Sequence, residues 1–232
     1  MFKYIKLPTL LVILPVMSFS GNITIPKKVS IEFSGSGGTK STMKFSSTKH
    51  NYNIAHITNL PMYKIIYQSN GTINNNHLNT YKFSESRNGH LVSSALFNPS
   101  TKQVTYGKIN TPKKAQIIGK SYDSISLVWE IAFNPNLPLD TFQLTTGKGI
   151  YLIHAGNSNI STIKQSRNIA IAKKLIPIEL YDLAKIKGSK TPIQIGYSKQ
   201  YNNLPVYMKL RNKLYDIEFI ATSITIDGKK IL

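Results

Sequence analysis

The stretch Val29-Ser30-Ile31-Glu32-Phe33 decides the fold, because apolar and polar residues alternate in it without a break. A period of two places successive side chains on opposite faces of an extended chain, so the stretch predicts a β-strand with one buried face. The same alternation returns at residues 206–210 and 215–219. Half-buried strands are therefore expected to dominate from residue 29 onward.

Short turn motifs separate the predicted strands. They are rich in Gly, Asn and Asp, which accept the positive φ angles of tight hairpins. The motifs are Gly37-Gly38, Asn70-Gly71, Asn88-Gly89, Asn202-Asn203 and Asp227-Gly228. Later strands are expected at 142–144, 150–153, 169–171, 176–180 and 193–197, split by Gly147, Gly156-Asn157-Ser158-Asn159 and Gly188-Ser189. Residues 111–114 are predicted to form a surface connector, and the whole order predicts an antiparallel meander.

Residues 121–133 break the alternation and predict a buried helix. Ser121 or Asp123 would cap it, and the residues from 125 to 133 are apolar apart from Ser126 and Glu130. A strand buried on both faces is the alternative that periodicity leaves open. Because an unpaired buried carboxylate is costly, Glu130 is expected to face solvent or to pair with a lysine.

One helix is too little to cover a sheet of this size, so the sheet must curl upon itself or leave an apolar face open. We therefore expect a mainly β (α+β) fold, with a curved antiparallel sheet forming an incomplete barrel around the one buried helix. Residues 21–232 are expected to form a single domain. The interior of such a barrel is either a packed core or a ligand cavity, and the sequence does not choose between them.

The amino-terminal segment has the pattern of a secretory signal peptide. Lys3 and Lys6 form a basic start, residues 7–17 are mostly apolar, and small residues lead to an expected cleavage between Ser20 and Gly21. A retained membrane anchor is the alternative, but the apolar stretch is shorter than the ~20 residues that span a bilayer. No later segment has the length and apolarity of a transmembrane helix. Export predicts a periplasmic location.

The chain contains no cysteine. This excludes a disulfide scaffold, a thiol nucleophile and the lipid-modified cysteine of a bacterial lipoprotein. Small exported eukaryotic domains usually depend on disulfides, so a chain of 232 residues without them fits a bacterial cell envelope better.

The formal net charge is +19, and removal of Lys3 and Lys6 with the signal leaves +17. A field of this size attracts polyanions. Outside the cytoplasm these are anionic membrane surfaces and acidic glycans, and no nucleic acid partner is expected. A compositional bias toward lysine is the alternative explanation, which the scarcity of arginine supports, since arginine is the usual reader of phosphate.

The sequence offers no catalytic, metal or cofactor motif. His50 and His56 lack a third ligand at metal spacing, and the glycines of residues 34–38 do not open a helix as a phosphate loop does. We therefore expect a protein that is not an enzyme and carries no cofactor. Aromatic residues are the better candidates, because tyrosine suits the wet mouth of a cavity, although ordinary sheet packing explains most of them. The candidates for lining a ligand cavity are Tyr67, Tyr81, Phe83, Trp129, Phe133, Tyr197 and Tyr207.

The order of several short motifs resembles an exported bacterial family, the domain of unknown function numbered 3108. The motifs are residues 29–38, Ile57, Leu60-Pro61, residues 67–71, the Asp-x-x-Ser-Leu run that starts at Asp123, and Leu204-Pro205-Val206. The resemblance implies a periplasmic curved sheet similar in outline to the lipoprotein-localisation carriers, whose half-barrel holds acyl chains. A tryptophan that often precedes the late Leu-Pro in that family is replaced here by Gly196-Tyr197.

Two functions follow as hypotheses. The first is a non-catalytic periplasmic carrier for an amphipathic, lipid-like or lipoprotein ligand held in the half-barrel. The alternative is an envelope structural or assembly factor that binds another protein or an anionic glycan through a basic face or a sheet edge. A ligand cavity would favour the first, and a packed interior would favour the second.

Overall fold

The computed structural model describes residues 24–60, 62–135, 137, 141–165, 174–185, 193–211 and 216–232. All of the described strands belong to one sheet. The predicted signal peptide and its cleavage site, Ser20 and Gly21, lie outside these residues, as do the predicted strand 169–171 and the Gly188-Ser189 turn. The single domain predicted for residues 21–232 stays a prediction.

The first half of the chain is a run of strands. They are β1 (Lys28–Gly35), β2 (Lys40–Ser47), β3 (Asn51–Leu60), β4 (Tyr63–Asn74), β5 (His77–Arg87), β6 (His90–Asn98), β7 (Gln103–Lys108) and β8 (Thr111–Gln116). The second half holds β9 (Ser121–Asp123), the helix α1 (Ser126–Phe133), β10 (Thr141–Thr145), β11 (Ile150–Gln165), β12 (Lys174–Lys185), β13 (Ile193–Ser198), β14 (Leu204–Arg211), β15 (Asp216–Ile226) and β16 (Lys229–Lys230).

The sheet order shows that the sheet is curved. It runs β8-β7-β6-β5-β4-β3-β2-β1-β15-β14-β13-β12-β11-β10-β9, with β16 beside β15, and its pairs are antiparallel except β9 with β10. The two strands at its ends, β8 and β9, are consecutive in the chain and are joined by residues 117–120 alone. Since an extended chain spans at most ~3.6 Å per residue, the two ends lie within roughly 18 Å of each other. The predicted curved antiparallel sheet is therefore confirmed.

One side chain joins the two ends of the sheet. Gln143 of β10 donates from Nε2 to the backbone oxygen of Gln116 (3.1 Å) and accepts from the backbone N–H of Ile118 (3.0 Å). The side chain thereby binds a backbone carbonyl and a backbone N–H that have no strand partner among the described residues. We name this contact the Gln143 clip. The sheet is thus barrel-like but not closed by strand pairing.

The alternation seen in the sequence is reproduced in the core. Val29, Ile31 and Phe33 of β1 are all buried, while Glu32 between them is exposed. Their buried face joins one continuous hydrophobic core with the apolar residues of the other strands and of α1. The strand prediction from periodicity is confirmed here.

The helix is shorter than predicted. Residues 121–123, predicted as its first turn, form β9 instead and pair in parallel with β10. The helix therefore begins at Ser126, and all eight of its residues are buried as it packs against β5 and β14. Among the described residues, no helix combines the length and the apolar character needed to cross a bilayer.

Three turn or loop predictions were wrong. Asn70-Gly71 lies inside β4, residues 156–159 lie inside β11 at a register shift, and residues 111–114 form most of the exposed strand β8. Gly71 serves a close approach and not a turn, since a Cβ atom there would overlap the backbone oxygen of Asn79. The motifs Gly37-Gly38, Asn88-Gly89, Asn202-Asn203 and Asp227-Gly228 do lie in turns with positive φ.

Candidate functional site

Two of the predicted lining residues lie in the packed core around α1. The Trp129 ring is 5.1 Å from that of Phe45 and 5.7 Å from that of Phe133, centroid to centroid, and the Phe45 and Phe133 rings are 4.8 Å apart. Trp129 is fully buried. These three rings fill the space between the helix and the strands with protein side chains.

The other predicted lining residues fall into two environments. Phe83 is buried with its ring 6.0 Å from that of Tyr67, and Tyr197 is buried with its hydroxyl donating to a helix carbonyl (2.9 Å). Tyr207 is partly buried against the core. Tyr81 differs, because its side chain is 57% exposed. Of the seven candidates, Tyr81 alone lines either of the two cavities described below, and a lining role for the others stays a prediction.

The carboxylate of Asp123 is buried immediately before α1. Its Oδ1 accepts from the backbone N–H groups of Ile125 (2.9 Å) and Ser126 (3.0 Å), the first donors of the helix. Its Oδ2 accepts from the hydroxyls of Ser69 (2.6 Å) and Thr80 (3.1 Å). Burial raises the pKa of this carboxyl above its ordinary value of 3.8, and these hydrogen bonds oppose the shift.

Glu130 is the second buried acid, and the expectation for it was wrong. It neither faces solvent nor pairs with a lysine: its Oε1 lies 2.6 Å from Nδ1 of His77, and its Oε2 accepts from the backbone N–H of Leu78 (2.8 Å). Asn134 donates to the same carboxylate (3.2 Å). A histidine at the start of β5 thus provides the polar partner that a buried carboxylate requires.

Glu85 is the third buried acid. Arg87 contacts its Oε1 at 2.6 Å, Lys148 lies 3.5 Å from the same oxygen, and Ser93 donates to Oε2 (3.1 Å). Among the described residues, three acids, Asp123, Glu130 and Glu85, are therefore inside the protein. The surface is consequently more basic than the formal net charge alone suggests.

The two histidines singled out from the sequence do not form a pair. His50 is exposed in a turn, whereas His56 is buried with Nε2 at 2.6 Å from the hydroxyl of Ser41. Burial lowers the pKa of His56 from 6.5 to about 4. Within the described part of the chain, no three His, Cys, Asp or Glu side chains come together as a metal site.

The sheet splits between β5 and β6. The pairing of β5 with β4 extends to His77, but its pairing with β6 begins only at Lys82, opposite Leu96. A β-bulge marks the change, since Asn70 faces Lys82 while Gly71 faces Thr80, which leaves Tyr81 as the extra residue. The first half of β5 thereby separates from the β6–β7 turn.

A cavity of about 710 Å³ lies in this split, and we name it the end cleft. It is bounded by the β4–β5 turn, the β6–β7 turn and residues 117–122. Among the described residues, its polar and aromatic lining includes two lysines and one histidine but no acid. The lining residues are Thr72, Asn74, Asn75, His77, Leu78, Asn79, Thr80, Tyr81, Phe97, Pro99, Lys102, Ile117, Gly119, Lys120, Ser121 and Tyr122.

A second cavity, of about 610 Å³, lies on the outer face of the sheet, and we name it the outer groove. It crosses β15, β1, β2, β3, β4 and β5, which are neighbours in the sheet. Within the described part of the chain, its lining contains three lysines and no acid. The lining residues are Lys28, Val29, Ser30, Lys44, Phe45, Ser46, Asn53, Ile54, Ala55, Gln68, Ser69, Asn70, Lys82, Ser84, Thr225 and Gly228.

The lysines of the groove were missed by the sequence analysis. The alternating pattern did contain information about them. In β1 and β2 every second residue is buried, and Lys28 and Lys44 lie on the opposite, polar face of those strands. What the sequence could not supply is the register, which places Ser30 of β1 opposite Lys44 and Asn70 opposite Lys82. The groove is therefore a product of strand pairing and not of any one motif.

Comparison with known proteins gives a fold and no activity. No protein-family model matches the chain, and no curated protein is significantly similar to it in sequence. A crystal structure from Brucella abortus, of a beta-barrel-like protein of domain of unknown function 1849, is similar with a TM-score of 0.52 at 8% identity. The likeness covers 89% of this chain and 99% of that chain. At this identity it concerns the fold alone, which is that of a beta-barrel-like domain.

Proposed function

We propose that this protein is a non-catalytic binding protein for an acidic polysaccharide, exported to the periplasm, and that the polysaccharide lies along the outer groove. The observation that carries the proposal is the set of three lysines, Lys28, Lys44 and Lys82, in one groove whose described lining residues include no acid. Charge complementarity of this kind recruits and orients an anionic partner.

The length of the groove favours a chain molecule over a single headgroup. The groove crosses six neighbouring strands, and a spacing of ~4.8 Å between strands makes it about 24 Å long. A flat anionic membrane does not enter a narrow groove, whereas an extended polymer can lie along it.

The side chains between the lysines suit a sugar polymer. Asn53, Gln68 and Asn70 lie along the groove between Lys44 and Lys82, and Ser46 and Ser84 add hydroxyls. Amides and hydroxyls both donate and accept hydrogen bonds, as sugar hydroxyls do. The lysines would pair the carboxylate or sulfate groups, and the residues between them would bind the neutral parts of each ring.

Equilibrium binding to polygalacturonate fragments tests the proposal, with dextran as the neutral polymer. The triple variant Lys28→Gln, Lys44→Gln, Lys82→Gln is expected to bind about tenfold more weakly or worse, because three exposed ion pairs of roughly 0.5 kcal/mol each sum to about the free energy of a tenfold change. A matched control removes the same charge from the β7–β8 hairpin through Lys108→Gln, Lys113→Gln and Lys114→Gln.

The control should bind as the unmodified protein does. Equal losses in the two triple variants would show that net charge alone holds the polymer, and would overturn the assignment to the groove. Binding to phosphatidylglycerol vesicles without binding to polygalacturonate would show that the partner is an anionic membrane surface and not a polysaccharide.

The carrier predicted from the sequence stays a prediction, and so do the resemblance to family 3108 and the outline of a lipoprotein-localisation carrier. We propose that α1 fills the interior of the barrel-like sheet. The aromatic packing of Trp129 with Phe45 and Phe133 supports this, because it occupies space that an acyl chain would need. Lipid extracted from the purified protein would instead favour the carrier.

A further inference from the structure

The end cleft holds features that the outer groove does not explain. It opens where β5 and β6 separate. The bulge at Tyr81 lies between the cleft and Lys82, which lines the outer groove. No residue that the structure describes lines both cavities. Its binding properties can therefore be separated from those of the groove.

Lys102 occupies a backbone conformation that a lysine adopts at a steric cost. Its φ is +50°, the left-handed region that Gly and Asn accept more readily. The turn is fixed around it, since its backbone N–H donates to Pro99 (3.3 Å) and its carbonyl accepts from Ile117 (2.7 Å). A costly lysine in a fixed turn at the wall of a cavity points to a role for its side chain.

Lys120 adds to the positive character of the cleft, and His77 adds a polar ring edge. Lys120 is exposed on the segment that joins β8 to β9, and it lines the cleft together with Lys102. His77 is held through Nδ1 by the buried carboxylate of Glu130, which leaves Nε2 at the opposite edge of the ring. Since the lining residues that the structure describes include no acid, an anionic group that enters meets the ammonium groups of the two lysines and polar side chains.

Tyr81 gives the cleft an aromatic surface. As the extra residue of the β-bulge it points outward, and bulges are a common means of redirecting a side chain at a binding site. Tyr81 is 57% exposed, and Asn75 and Asn79 line the same cleft. An exposed aromatic ring beside amides suits a ligand with both an apolar face and hydroxyls, which describes a sugar ring.

We propose that the end cleft binds a small anionic sugar, a ring that carries a carboxylate or a phosphate group. Lys102 and Lys120 pair the anionic group, Tyr81 packs against the face of the ring, and Asn79 and His77 bind its hydroxyls. The volume of about 710 Å³ lies within the roughly 300–1,000 Å³ typical of small-molecule sites. This site is independent of the polysaccharide proposed for the groove.

Calorimetric titration with glucuronate and with glucose 6-phosphate tests the proposal, with glucose and inorganic phosphate as controls. Either anionic sugar should bind, glucose should not, and inorganic phosphate alone should bind at least about tenfold more weakly than the sugar that binds. Binding of only one of the two identifies the anionic group as a carboxylate or a phosphate.

Variants of the lining residues test whether the sugar binds in the end cleft. Lys102→Asn should hold or raise the midpoint of urea unfolding, because Asn accepts the left-handed conformation, and should weaken binding about tenfold. Lys120→Gln should weaken binding similarly. Tyr81→Ala should weaken binding of the sugar but not of inorganic phosphate, and the groove triple variant should bind as the unmodified protein does.

Three results would overturn the proposal. They are equal binding of glucose and the anionic sugars, full affinity in the Lys102 and Lys120 variants, and no heat from either anionic sugar at millimolar concentration. None of these results contradicts the groove proposal, because polygalacturonate binding is tested with variants of different residues.

Discussion

At the scale of single residues, three carboxylates lie in the interior of this protein. Asp123, Glu130 and Glu85 are buried, and each is matched by several donors. A buried carboxylate is stable only when its hydrogen-bond partners are complete. The cost of removing one of these groups should therefore exceed that of a typical surface change.

Asp123 offers the sharpest stability test of this arrangement. Asp123→Ala leaves two helix N–H groups and the hydroxyls of Ser69 and Thr80 without their buried acceptor, and should cost about 3 kcal/mol in the free energy of unfolding. Asp123→Asn keeps an acceptor for the N–H groups and should cost distinctly less. Urea denaturation measures both, and equal costs would contradict the account.

His56 should make stability depend on pH. Burial lowers its folded pKa to about 4 from 6.5, and it faces the hydroxyls of Ser41 and Thr58 and the ring of Tyr67. A lowered folded pKa means that the stabilising contribution is present above pH 6.5 and is lost as the pH falls toward 4.

The expected loss is about 3 kcal/mol across that window, from 1.36 kcal/mol per pKa unit. The variant His56→Gln has no titrating group at this position, so the difference between its unfolding free energy and that of the unmodified protein should shrink as the pH falls from 7 to 4. Parallel pH profiles for the two proteins would refute the assignment.

At the scale of elements, local pattern predicted the strands but not their irregularities. The alternation in β1 is contained in five residues, and it was sufficient to predict that strand. The bulge at Tyr81 and the close approach at Gly71 depend on Asn79 and on the register of β4 with β5, which no local pattern contains. The helix start was misplaced for the same reason, because residues 121–123 are strand only by virtue of their pairing with β10.

The Gln143 clip is the element-scale feature with the clearest consequence. Gln143→Leu keeps the apolar volume but removes both hydrogen bonds to the backbone of Gln116 and Ile118, which should cost about 1–3 kcal/mol, since each bond contributes roughly 0.5–1.5 kcal/mol. Gln103→Leu, at an exposed position of β7, is the matched control and should stay within about 0.5 kcal/mol. Similar urea midpoints for the two variants would show that the clip does not hold the ends of the sheet together.

At the scale of the whole molecule, the sequence predicted the curved sheet because a single helix cannot cover so many strands. It did not predict the outer groove or the end cleft. The lysines of the groove lie on β1, β2 and β5, and the walls of the cleft come from three separate connections. Both sites therefore depend on the order and register of the strands, which are long-range properties.

Native mass spectrometry of the protein purified from its own cells, with chemical analysis of whatever remains bound, shows whether the outer groove holds a polysaccharide. We expect an acidic oligosaccharide, released by raised salt and retained poorly by the Lys28, Lys44 and Lys82 triple variant. A bound lipid that resists salt and is retained equally by that variant would contradict the claim, and would place the ligand inside the barrel.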